Sequence, residues 1–298
     1  MRIITAIKGV NPIAAVPFRA DGELDEASFS NMLEHLAGTG IDGLTLFGIA
    51  SEFPKLSDDE RERLAKRFIS DLSGTGVFRA MSVTEHSTEL AVKRARHFQQ
   101  MGADALMLLP PFFLKPSQKA VESHINQVLE AVSIPVMVQY APGETGFPIT
   151  PDELARVAQR YPHAVFKIEC NPPVDYTRDF LKHAPGAHVL NGYAGLYMLQ
   201  MLDAGGKGVM PGCSFSETYV QIYRDWCEGR PEQALALHQR LLPWITRWMS
   251  HCEYIIQVEK TILLQRGIIT CDYCRHPGWE LNAKDRLEIE AFLVTFMK

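Results

Sequence analysis

An α/β fold, a (β/α)8 barrel carrying a C-terminal helical appendage, is what the sequence predicts, and three observations predict it. Short β-rich apolar runs alternate with helical patterns eight times between Ile13 and Glu228. Such alternation implies parallel strands with right-handed crossovers, and eight units close into a barrel. The glycine fingerprint GxGxxG, which would favour an open doubly wound sheet, is missing after the first strand. The length, 298 residues, suits one barrel with a short addition.

The strands are expected at Ile13–Phe18, Leu44–Phe47, Val77–Val83, Ala105–Leu109, Val136–Tyr140, Ala164–Lys167, His188–Leu190 and Gly208–Met210. Each is a short apolar run rich in β-branched or aromatic residues. The helices between and after them are expected at Asp25–Ala37, Ser57–Leu72, Thr88–Gln100, Ser117–Val132, Thr150–Gln159, Asp175–His183, Gly195–Ala204 and Phe215–Glu228. Several carry their own start and stop signals. Ser57 with Glu60 reads as a capping box, and Thr150 is followed by Pro151 at the first helical position. Gly40, Gly102 and Gly205 supply left-handed stops. Beyond Arg230 the pattern is helical again, at Glu232–Trp248, Glu253–Gln265 and Ala283–Met297, with Gly267–Glu280 as a connection. No flexible linker precedes this tail. Residues 1–229 are therefore read as the barrel and 230–298 as an extension packed on it, with Trp226, Trp244 and Trp248 packing the tail.

Composition excludes several classes of function. The chain is 46% apolar and 22% charged with a net charge of −5, and it has no basic block to hold nucleic acid. No apolar run approaches the ~20 residues that span a bilayer. The opening MRIITAIKGVNP has no signal-peptide core, so the expectation is a cytoplasmic protein with its six cysteines reduced. Cys271 and Cys274 form CDYC, with His276 just after, but no second CxxC completes a zinc set. No metal and no cofactor are expected.

The barrel turns sequence position into function, because this fold places its chemistry at the C-terminal ends of the strands. The sixth strand ends in AVFKIECNPP, which puts Lys167 at the strand end and Glu169 two residues on. A lysine there is partly desolvated, which disfavours the ammonium. A neutral amine attacks a ketone to form a Schiff base, and the resulting iminium is an electron sink. The plain alternative is a lysine paired with a carboxylate. Residues two apart on a strand share a face, so Glu169 is either a general base or acid, or the ion-pair partner of Lys167.

Four stretches, GIASEFPKLSDDER, LLPPFFLKPSQ, VMVQYAPGETG and VFKIE, carry a resemblance. They resemble the superfamily of dihydrodipicolinate synthase and N-acetylneuraminate lyase, which are Schiff-base aldolases and dehydratases of keto acids. The resemblance runs from about Gly9 to Cys227. It implies that Lys167 forms the Schiff base and that the loop after the second strand holds the substrate carboxylate, at the amides of Ala50 and Ser51. It also implies a homotetramer, a dimer of dimers, acting on a small keto acid.

The departures from the pattern narrow the substrate. A relay threonine of the synthases falls at Ile49, their catalytic tyrosine at Gln139, and a tyrosine donated by a neighbouring subunit at Phe113. The arginine that meets the second substrate's carboxylate falls at Glu144, which repels a carboxylate and suits sugar hydroxyls. Tyr140 is read either as a displaced relay hydroxyl or as a packed aromatic. Gln139 orients a hydroxyl without titrating. Tyr193 and Met210, at the ends of the seventh and eighth strands, complete the expected substrate contacts, with His86 and Ser87 as further candidates. Glu52 is expected chiefly as a structural partner of its loop.

The motifs SEF, LSDDER, VQ(x)AP, FKIE and the Cys271–Pro277 segment are closer to the branch of 2-keto-3-deoxy-L-arabinonate dehydratase. The expected function is dehydration of a 2-keto-3-deoxy sugar acid. The alternatives are a pyruvate-dependent aldolase of the same family and a non-catalytic keto-acid-binding paralogue.

Overall fold

The computed structural model describes residues 7–297. Met1–Ala6, part of the segment read for a signal peptide, and Lys298, the last residue of the expected extension, lie outside the described residues. Eight strands form one sheet in the order β1-β8-β7-β6-β5-β4-β3-β2. They are β1 (Gly9–Val10), β2 (Gly43–Leu46), β3 (Phe78–Val83), β4 (Ala105–Leu108), β5 (Val136–Tyr140), β6 (Ala164–Ile168), β7 (His188–Asn191) and β8 (Gly208–Val209). From β3 to β8 each strand pairs in parallel with the next. The two ends of this order meet through the chain just past β1. There Ile13 bridges Thr45 of β2 and Gly212 beyond β8, both in parallel. The fold is a (β/α)8 barrel.

The helices are α1 (Glu26–Ala37), α2 (Asp58–Asp71), α3 (Thr88–Met101), α4 (Gln118–Ala131), α5 (Pro142–Thr145), α6 (Pro151–Arg160), α7 (Pro173–His183), α8 (Met198–Asp203) and α9 (Ser216–Cys227). Three more follow: α10 (Pro231–Trp248), α11 (Cys252–Gln265) and α12 (Ala283–Phe296). The capping box at Ser57/Glu60 forms as its spacing predicts, and Thr150 caps α6 with Pro151 at its first position and adds a box with Glu153.

The first strand departs from expectation. Ile13–Phe18 is buried but forms only isolated bridges, and the regular strand is the earlier pair Gly9–Val10. Pro12 and Pro17 have no N–H to give a ladder, so the apolar run there cannot continue as a regular strand. The second strand stops one residue early, because Phe47 adopts φ 65, outside the extended region.

Packing divides the described residues into two compact units, 78–210 with 7–9, and 10–77 with 211–297. In the first, Phe166 of β6 meets Phe180 of α7 edge-on at 4.9 Å. In the second, fully buried Trp248 packs on Phe292 at 4.9 Å and Trp244 packs on the same ring at 5.6 Å. Trp226 is half-buried. Among the described residues no helix is long and apolar enough to cross a membrane.

Candidate active site

All five residues of β6 are buried, and their side chains alternate between its two faces. Phe166 points to the helix layer, so Lys167 takes the opposite face. Register sets Lys167 beside Gln139 of β5 and Leu190 of β7. The Lys167 side chain is 5% exposed, and its Nζ lies 3.0 Å from Glu169 Oε1. Glu169 continues the strand direction, with its N–H donating to the Tyr140 carbonyl at 2.8 Å. Its Oε2 accepts from Gln139 Nε2 at 2.5 Å, and its Oε1 also accepts the Tyr193 N–H at 3.3 Å. The buried charges are thus paired and hydrogen-bonded, the condition under which ions persist away from water.

Two backbone features support this arrangement. A Cβ on Gly192 would lie 2.1 Å from Glu169 Cγ, so only glycine leaves room for the carboxylate. Tyr193 and Ala194 sit at φ 48 and 49. Left-handed backbone costs a residue other than glycine on the order of 1–3 kcal/mol, and such residues concentrate where a site over-determines them. Here the turn aims the Tyr193 amide at Glu169. The Tyr193 hydroxyl lies against Gly143, where a Cβ would come within 2.9 Å of it.

Gln139 belongs to the Lys167–Glu169 group, but Tyr140 does not. Tyr140 lies on the other face of β5, buried and stacked on Tyr176 of α7 at 4.7 Å. Burial raises its hydroxyl pKa. The packed-aromatic alternative fits this placement, and strand alternation is the reason, since neighbours on a strand cannot share a face. Glu144, on the single turn α5, is solvent-accessible. Desolvation and then the charge of Glu169 raise its pKa, while Lys167 lowers it. Met210 is buried at the end of β8. Phe113 is 78% exposed in the loop after β4, beside exposed Leu114. His86 stacks edge-on with Phe112 at 4.8 Å rather than with any group above. Cys170 is buried, which pushes its thiol up to about 11 and leaves it a poor nucleophile.

The loop after β2 belongs to the second unit. Ile49, Ala50 and Ser51 form a 3-10 turn in which the Ser51 amide donates to the Gly48 carbonyl at 2.9 Å. The Ser51 hydroxyl donates to the Ala14 carbonyl at 2.6 Å. Glu52 is buried in a cationic environment, 3.1 Å from Lys55 Nζ and in contact with Lys260 Nζ. Arg275, from the Cys271–Pro277 segment, donates to the Lys55 carbonyl at 2.7 Å and pairs with Glu60. Cys274 is buried and His276 meets Tyr273 edge-on. Among the described residues no group of three or more His, Cys, Asp or Glu could hold a metal ion.

Sequence reasoning missed Glu259 and Lys260, adjacent buried charges on α11. The signal was present as an acid–lysine pair inside the apolar run of IIQVEKTILL, on residues whose type is almost never buried without a partner.

Comparison with known proteins places the chain in a family. Residues 6–295 match the model of the dihydrodipicolinate synthetase family. The chain is 30% identical over 291 residues to L-2-keto-3-deoxyarabonate dehydratase of Azospirillum brasilense, covering 95% of this chain and 93% of that protein. It is 28% identical over 240 residues to 4-hydroxy-tetrahydrodipicolinate synthase of Methanopyrus kandleri, covering 80% of each. The crystal structure of dihydrodipicolinate synthase from Rhodopseudomonas palustris superposes with a TM-score of 0.88 at 25% identity, over 97% of each chain.

Proposed function

Because the chain belongs to the dihydrodipicolinate synthetase family, we propose that it is a lysine Schiff-base lyase that dehydrates a 2-keto-3-deoxy sugar acid. The observation that carries the reading is the buried contact of Lys167 Nζ with Glu169 at 3.0 Å. Glu169 takes the ammonium proton, and the free amine adds to the C2 ketone. Glu169 returns that proton to the carbinolamine hydroxyl, which leaves as water, and an iminium forms. Glu169, again a carboxylate, removes the C3 proton, whose electron pair enters the enamine. The enamine then expels the C4 hydroxyl, which leaves as water on the proton Glu169 took from C3, and a C3–C4 double bond forms beside the regenerated iminium. Hydrolysis frees Lys167. Gln139 holds the Glu169 carboxylate in one orientation throughout and shuttles no proton.

The relative in Azospirillum brasilense, named for dehydration of a keto-deoxy acid, supports the substrate class. Glu144 supports it too, as a carboxyl group open to hydroxyls of the substrate and unsuited to a second carboxylate. Tyr193 and Met210 are proposed as further substrate contacts, and the Ala50 amide as the contact for the keto-acid carboxylate, since the Ser51 amide is already given to the Gly48 carbonyl. On the same family grounds we propose a homotetramer in the cytoplasm. The deciding experiment is a screen of 2-keto-3-deoxy sugar acids with products weighed by mass spectrometry. Loss of 18 mass units from one substrate is expected. Cleavage to pyruvate and an aldehyde would make the enzyme an aldolase instead, and no turnover of any member would leave a binding protein.

A further inference from the structure

Two neighbouring residues of α11, opposite in charge and both buried, reach two different loops at strand ends. Lys260 is fully buried. Its Nζ touches Glu52, donates to the Tyr273 carbonyl at 3.0 Å, and lies 4.3 Å from the centre of the Phe18 ring. Glu259 Oε2 accepts the Ser214 N–H at 2.8 Å, in the loop after β8, and the carboxylate occupies the space a side chain on Gly212 would need. A third α11 residue, Glu253, holds Lys55 at 2.8 Å, and Lys55 in turn holds Glu52 at 3.1 Å.

Glu52 is the focus of these contacts. It joins two successive 3-10 turns, Ile49–Ser51 and Phe53–Lys55, from a left-handed backbone conformation at φ 52. A residue other than glycine stays there only where its surroundings hold it. Its carboxylate is buried, so it needs cations in reach. Lys55 is partly exposed, whereas Lys260 is not exposed at all. The buried ammonium therefore fixes the Glu52 side chain, and the side chain fixes the turn that precedes it. We propose that Lys260, acting through Glu52, is a positioning residue that holds the Ile49–Ser51 turn in the shape that binds the keto-acid carboxylate. The proposal rests on the reading of that turn as the carboxylate contact.

The test measures the pyruvate concentration that half-saturates borohydride trapping, by intact mass, in the wild-type chain and in three variants. Lys260→Met and Glu52→Gln are each expected to raise it roughly tenfold or more with the same plateau of labelling. Asp285→Asn replaces the charged acceptor of Tyr254, 2.9 Å away, and of Arg247, 3.1 Å away, by a neutral one, so it weakens the packing of α11 without touching Glu52. It is expected to lower the melting temperature and leave the half-saturation unchanged. An unchanged value in Lys260→Met, or an equal rise in Asp285→Asn, overturns the proposal. Should Lys260→Met not fold, Glu52→Gln decides by the same criterion. Pyruvate calorimetry in a Lys167→Ala background separates the two claims, because it reads the turn without the Schiff base. The same tenfold weakening is expected there, and its absence counts against Lys260 even where trapping fails for reasons belonging to Lys167.

Discussion

At the scale of single residues, Glu169 is held from three sides. Lys167, Gln139 and the Tyr193 amide all bond its carboxylate. Glu169→Gln should slow the proton transfers at C3 and C4 by about 10²–10⁴-fold, as loss of a placed base or acid does, and slow imine formation on Lys167 much less, because water can take the ammonium proton in its place. Single-turnover kinetics that detect imine and product separately check this, and equal slowing of imine formation would make Glu169 mainly the counter-ion of the lysine. Gly192→Ala tests the same group from the backbone side. Its Cβ would displace Glu169, whose Cγ lies 2.1 Å away. Turnover should fall by about tenfold or more, with a near-native circular dichroism spectrum. Lys167 and Glu169 were legible in the sequence, because a strand-end lysine two residues before an acid fixes their common face. For Tyr140 the sequence left a displaced hydroxyl and a packed aromatic both open, and its stacking on Tyr176, on the opposite face of the strand from Gln139, fits the second.

At the scale of elements, the lasting surprise is α11. Its burial of Glu259 pushes that carboxyl up to about 7, the desolvation outweighing the hydrogen bonds from Ser214 and the charge of Arg266. Buried Cys213 and Tyr219 also face this charge. The folded pKa is above the unfolded one, so the folded state binds the proton more tightly. Stability is then greatest below the unfolded value near 4.5 and declines as pH rises toward about 7. Glu259→Gln mimics the protonated form and should be more stable than wild type at pH 8 by roughly 2–4 kcal/mol, with the difference vanishing near pH 4. Urea melts at the two values check it, and a constant difference would mean that Glu259 does not titrate in this range. Boundaries of helices came through well where caps mark them, as at Ser57 and Thr150. The short α5 and the turns around Glu52 and Tyr193 carry no period that a sequence pattern reveals, since each is a single turn set by its surroundings.

At the scale of the whole molecule, the eightfold alternation was enough to reach the barrel, because parallel strands and right-handed crossovers leave few other arrangements. The apolar run Ile13–Phe18 resembles a strand in sequence yet forms only isolated bridges, because burial and strand pairing are separate properties. Family membership leaves the reaction open, and the departures from the synthases' sequence pattern bear on it. With Ile49, Phe113, Gln139 and Glu144 at the positions described, condensation of pyruvate with aspartate semialdehyde is expected to be negligible, and a robust rate in a coupled assay would overturn that. Light scattering at micromolar protein should report a tetramer, and a monomer would refute the proposed assembly. The most direct test of the central claim is borohydride trapping of the intact protein with a 2-keto-3-deoxy sugar acid or pyruvate, followed by peptide mapping. One adduct per chain, carried on Lys167 and abolished in Lys167→Ala, is the predicted result. An adduct on another lysine, or none from a substrate the protein turns over, would contradict it.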